Sequence, residues 1–191
     1  MPEIIEIVLE PLSPKAFAPF GQIVGESGTA PHFTGSHIAA WRMAFEAEGG
    51  AEILFARYVH QPIELSRMER HFNVTQAFLP LGDQPSVMVV AAPADLGDRA
   101  AKPKPQAVRA FYVEGSRGIM LWKGTWHALT RFPARPSGAE FAVITGAATQ
   151  AELERETRDG ARPKLTQVVD FATEYGAVLK VVDPHRLMAV G

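Results

Sequence analysis

Short apolar runs broken by Gly, Pro and small charged clusters dominate the chain. IIEIVLEPL, AEILFARYV, QAFLPL, SVMVVAA, VRAFYV, GIMLW, EFAVIT and AVLKVV recur along its length, many of them rich in Val, Ile and Phe. Branched and aromatic side chains suit a pleated, half-buried surface, so each run reads as a strand. Many short strands with turn residues between them predict a mainly β fold, a barrel or sandwich with antiparallel pairing. A parallel α/β sheet would need helical periodicity between the strands, and little is present.

Three short helices interrupt this pattern. Ser13-Pro14 supplies an N-cap and a first-turn proline for SPKAFAPFG, which Pro19 and Gly21 end. Thr149 and Glu152 have the spacing of a capping box opening TQAELERETRDG, with Gly160 as the stop. Asp170 caps FATEYG. APADLGDRAAKPKPQ and RFPARPSGAE read as loops.

Composition narrows the functional classes. The 191 residues fit one domain, 1–191, long enough for a core without covalent staples. The absence of cysteine excludes disulfides, thiolate nucleophiles and zinc-finger sites. The net charge is −2 and no basic block appears, so a nucleic-acid partner is not expected. No apolar stretch approaches the roughly 18–20 residues of a membrane span, and the start lacks the pattern of a signal peptide. The chain therefore reads as cytoplasmic, with a small molecule as its partner.

Two segments carry candidate chemistry. In ERHFNVTQAFLPLG, Glu69 and His71 are two apart and share one strand face, while Arg70 points the other way. Phe72 to Thr75 can turn the chain into a second strand beginning at Gln76, which suggests a hairpin. In GIMLWKGTWHALTRF, a turn at Lys123-Gly124 leads to a strand with Thr125, His127, Leu129 and Arg131 on one face and Trp126 and Phe132 on the other.

These segments resemble the two motifs of the cupin barrel, with Glu69-x-His71, Gln76 and Gly82 in the first and Trp122-x-Gly124-x-x-His127 in the second. The resemblance narrows at ERHFNVTQAFLPL and KGTWHALTRF, which are similar to the signatures of the ureidoglycolate lyase family; LEPLSPKAFAPFGQIV resembles that family's start. The likeness spans about residues 8 to 155 and leaves a C-terminal extension from about 160 to 191. Phe72, Thr75, Ala128-Leu129 and Thr145-Gly146 depart from the family pattern. The resemblance implies a cupin-like antiparallel β-barrel, a homodimer, and cleavage of ureidoglycolate to glyoxylate and urea in allantoin degradation.

Such a cleavage needs a base for the hydroxyl proton, an acid for the leaving nitrogen and a cation for the carboxylate. His71, His127 and Glu69 are the candidate catalytic residues. Arg70, Gln76, Lys123 and Arg131 are the candidate substrate-binding residues. His71, His127 and Glu69 are also a donor set for a divalent metal, weakly held if bound, since Gln76 stands where cupins often carry Glu. Two alternatives stay open: a non-catalytic cupin-like domain that binds a small carboxylate, and a divergent family member with another substrate. His32, His37, His60 and His185 have no partners at useful spacing and read as surface residues.

Overall fold

The computed structural model describes residues 2–25 and 29–189. All eight apolar runs form strands: Glu3–Pro11, Ala51–Tyr58, Gln76–Pro80, Ser86–Ala91, Arg109–Val113, Gly118–Leu121, Ala139–Gly146 and Ala177–Val182. They divide between two sheets that curl into a half-barrel. The larger sheet runs in the order Thr166–Asp170, Arg67–His71, Trp126–Ala128, Ser86–Ala91, Arg109–Val113, Glu3–Pro11, Ala177–Val182 and Glu64–Leu65, with Phe132–Pro133 also beside Ser86–Ala91. The smaller runs Gly21–Val24, Gly118–Leu121, Gln76–Pro80, Ala139–Gly146, Ala51–Tyr58. The fold is mainly β, as its sequence pattern predicts, but it is neither a closed barrel nor wholly antiparallel. Glu3–Pro11 lies parallel to both of its neighbours, Arg109–Val113 and Ala177–Val182.

Period-2 alternation sorts the core into two clusters. Ser86–Ala91 is buried along its whole length because both faces are covered. Val87, Val89 and Ala91 join Leu9, Met68, Trp126 and Phe171 on one side. Met88 and Val90 join Phe78, Phe111, Ile119 and Phe141 in the space between the sheets. Phe17, from the first helix, closes that space by packing edge-on against Phe111 at 5.4 Å. Each such buried aromatic contributes about 1.5–3 kcal/mol.

The helices follow their caps, with one exception. The Ser13 side chain accepts from the Ala16 amide at the start of Pro14–Phe17. Asp170 accepts from Ala172 and Thr173 at the start of Phe171–Tyr175. The Thr149 capping box does not form. The helix runs Ala147–Asp159, continuing directly from the strand Ala139–Gly146, so Thr149 lies inside its first turn. Its buried hydroxyl donates instead to Asn73 Oδ1 at 2.6 Å. Gly160, at φ +68°, ends the helix as expected.

Candidate active site

The histidine segments are not hairpins. Arg67–His71 lies in the larger sheet and Gln76–Pro80 in the smaller, so Phe72–Thr75 is a corner between sheets. Gly118–Leu121 and Trp126–Ala128 are related in the same way through Lys123-Gly124. Gly124 takes φ +77°, which favours glycine, and its amide donates to the His71 carbonyl at 2.8 Å. The two corners are thus tied together. Each strand pairs across segments within its own sheet, Arg67–His71 with Trp126–Ala128 and Gln76–Pro80 with Gly118–Leu121, so the apolar faces of the two sheets enclose the core between them.

The pairing decides where the side chains go. His127 sits opposite Glu69 on one side and Val90 on the other. In an antiparallel register such partners share a face, and Val90 belongs to the core between the sheets. Glu69, His71 and His127 therefore meet at one end of that core. Their donor atoms lie within 4.8 Å of one another. The imidazole centroids are 5.2 Å apart, and His71 Nε2 is 3.9 Å from a Glu69 oxygen. A cavity of about 150 Å³ opens on them, walled also by Tyr58, Gln76, Phe78, Arg131, Gln150 and Leu153.

Burial sets the protonation states. It lifts the Glu69 carboxyl to about 7, reinforced by the charge of Glu156 and opposed by Arg67. It lowers His71 to about 3, with the neighbouring His127 adding to the effect. It lowers His127 to about 4, against the pull of the Ala128 carbonyl and with repulsion from Arg131. Both rings are neutral at neutral pH. His127 Nδ1 lies 3.0 Å from the Ala128 carbonyl, which can only accept, so the proton sits on Nδ1 and Nε2 is a bare lone pair. Both Nε2 atoms are buried without a hydrogen-bond partner among the described residues. Two imidazole lone pairs and a carboxylate this close fit a divalent first-row metal.

Arg131 completes the constellation. Burial lowers it to about 10, so it remains a cation. Its Nη2 donates to Ser86 Oγ at 2.7 Å, and its guanidinium stacks on Phe78 and Phe141. Nε and Nη1 have no partner among the described residues. Gln76 Oε1 is likewise unpartnered, while its Nε2 donates to Thr145 Oγ1 at 3.4 Å.

The same arrangement is set in a recognisable sequence context. The family model for ureidoglycolate lyase matches residues 4–162. The chain belongs to the ureidoglycolate lyase family. Family members of similar sequence include the ureidoglycolate lyase of Pseudomonas fluorescens, 37% identical over 130 residues, which are 63% of this chain and 74% of that protein. The ureidoglycolate lyase of Azotobacter vinelandii is 33% identical over 127 residues, 62% of this chain and 73% of that protein.

Within this family member, two of the expected substrate-binding residues lie outside the cavity. Arg70 is directed to the opposite face, where it stacks on Trp126 and Phe72 and donates to Gln167 Oε1 and the Asp98 carbonyl. Lys123 is held by Glu46 and Glu48, each at 2.9 Å. Strand alternation forces the first placement; the corner at Gly124 turns the second away. Sequence reasoning missed Tyr58, Gln150 and Leu153. Tyr58 shares the inward face of Ala51–Tyr58 with Leu54 and Ala56, a period-2 signal that shows a face but not its neighbour. Gln150 and Leu153 are three apart on a helix, and only the path of that helix brings them to the cavity.

Proposed function

We propose that this chain is a carbon–nitrogen lyase of the amidine-lyase type that cleaves ureidoglycolate to glyoxylate and urea. The observation that carries the reading is the convergence of Glu69, His71, His127 and Arg131 on one small cavity in a member of this family. Ureidoglycolate has a hydroxyl, a carboxylate and a ureido nitrogen on one carbon. The reaction breaks that carbon–nitrogen bond, turns the hydroxyl into a carbonyl, and moves one proton from oxygen to nitrogen.

The residues divide these tasks. Arg131 binds the carboxylate through its unpartnered donors. Glu69, with a carboxyl near 7, exists in both forms at neutral pH. As carboxylate it takes the hydroxyl proton while the carbonyl forms, and it returns that proton to the departing nitrogen, releasing urea. The single hydroxyl proton goes to Glu69, so the neutral His127 offers its Nε2 lone pair to the ureido N–H beside the reacting carbon and His71 offers its own to the terminal amide, and together they hold the ureido group. Gln76 Oε1 accepts from a ureido N–H. Phe78 and Leu153 keep water from the reacting carbon. Glu69, His71 and His127 are the residues that would hold a divalent metal, which when bound supplies Lewis-acid polarisation of the substrate oxygens.

The same reading includes a cytoplasmic homodimer. Ile53, Phe55 and Val59 are 63–71% exposed on and beside the outer strand Ala51–Tyr58, a surface suited to a second copy. No helix among the described residues is long and apolar enough to cross a membrane.

The test is release of glyoxylate and urea from racemic ureidoglycolate. The unmodified protein turns over, and Glu69→Gln, His71→Ala and His127→Ala each lose roughly 10²-fold or more. Wild-type turnover in all three folded variants overturns the assignment.

A further inference from the structure

The family match ends at residue 162, yet the strand Thr166–Asp170 lies against the one that carries Glu69 and His71. Thr166 is opposite His71 and Gln167 opposite Arg70. Each pair is joined by its side chains. Thr166 Oγ1 is 2.9 Å from His71 Nδ1, and Gln167 Oε1 accepts from Arg70 Nε and Nη2 at 3.0 and 2.8 Å. Thr166 and His71 are both buried.

A neutral imidazole carries one proton, and the partner of one nitrogen decides the state of the other. A threonine hydroxyl can accept or donate, so the surroundings settle the tautomer. With the proton on Nε2, His71 would bury a donor that has no hydrogen-bond partner among the described residues, the Glu69 oxygen standing out of reach at 3.9 Å. With the proton on Nδ1, the donor has Thr166 Oγ1 in range. A hydroxyl turns about its Cβ–Oγ bond, so Thr166 can present a lone pair to that N–H. Orphaned buried N–H groups are rarer than orphaned acceptors, so the second arrangement is favoured.

We propose that Thr166 is a positioning residue for the reaction: it accepts the Nδ1–H of His71 and leaves the Nε2 lone pair facing Glu69 and the cavity. It rests on the role given to His71 under the functional reading above. It also makes the segment beyond the family match a working part of the site.

The experiment compares Thr166→Val, Thr166→Ser and His71→Ala, with ring-nitrogen NMR of the metal-stripped wild-type protein. Valine keeps the shape and loses the oxygen. Thr166→Val lowers kcat by about 10- to 100-fold with KM little changed, and Thr166→Ser restores most of it. The wild-type His71 resonances show a protonated Nδ1, and Thr166→Val shifts them. Wild-type kcat in Thr166→Val alongside an inactive His71→Ala overturns the proposal and leaves the functional reading standing. A fully active His71→Ala overturns the functional reading, and this proposal with it. Should the valine variant fail to fold, the wild-type spectrum decides: an Nε2-protonated His71 overturns the proposal.

Discussion

His71 and His127 face each other with ring centroids 5.2 Å apart, and neither Nε2 has a hydrogen-bond partner among the described residues. Burial keeps both rings unprotonated, and two adjacent lone pairs suit one cation. With Glu69 they should take up one equivalent of Mn²⁺ or Zn²⁺ in a calorimetric titration. Only one of the three donors is charged, and Gln76 adds a neutral amide, so dialysis against EDTA should strip the ion. His127→Ala should abolish the heat of binding. Undiminished binding in that variant would place the metal elsewhere.

Glu69 gives a pH signature of stability. Its carboxyl titrates near 7 in the folded protein against an ordinary value of 4.5. Between those values the folded state keeps a proton that the unfolded chain has lost, so this group's contribution falls as pH rises, and stays low above 7. In metal-free protein, Glu69→Gln should be more stable than wild type at pH 8 by up to roughly 3 kcal/mol, with the gap closing near pH 4. The depressed histidines act in the opposite sense, costing stability on acidification below about 6.5, but they are common to both proteins. Urea unfolding at the two pH values measures the gap; an equal gap at both would sink the account.

Arg131 and Arg70 should separate cleanly. Arg131→Met removes the cation of the cavity and should raise KM for ureidoglycolate by about 10- to 100-fold, the scale of one or two charged hydrogen bonds. Arg70→Met should leave KM near wild type and destabilise the fold by about 1–3 kcal/mol, through the lost bonds to Gln167 and Asp98. Kinetics with chemical denaturation distinguishes them, and the reverse pattern would refute the placement.

Thr149 ties the helix that walls the cavity to the Phe72–Thr75 corner through Asn73. Thr149→Val strands the Asn73 oxygen in a buried setting. A loss of about 1–3 kcal/mol is expected in thermal or urea unfolding. Thr149→Ser should recover most of it, whereas an unchanged midpoint in the valine variant would show that the bond contributes nothing.

Phe55 lies at the middle of the exposed stripe on the outer strand. If a second copy covers that stripe, Phe55→Glu should convert a dimer to a monomer in light scattering at micromolar concentration. A wild-type monomer, or a dimer in the variant, would rule out this face.

What the sequence determined by itself is local. Alternation located the eight apolar strands and put Glu69 with His71 and Arg70 opposite, because side-chain direction in a strand needs no knowledge of its partner. Ser13, Asp170 and Gly160 marked helix ends, because a cap bonds to neighbours a few residues away. The two signature segments were legible as motifs, and so was the pairing of their histidines. Tertiary structure decided the rest. Thr149 has the letters of a cap, but a buried Asn73 from far along the chain took its hydroxyl. The corners read as hairpins because a turn looks the same whether its two strands pair or part. Arg131 and Lys123 were equal candidates until the fold buried one against the cavity and gave the other to Glu46 and Glu48. The protonation of Glu69, His71 and His127 was not legible either, since desolvation depends on what covers a group, and here the cover comes from both sheets and the helix Ala147–Asp159.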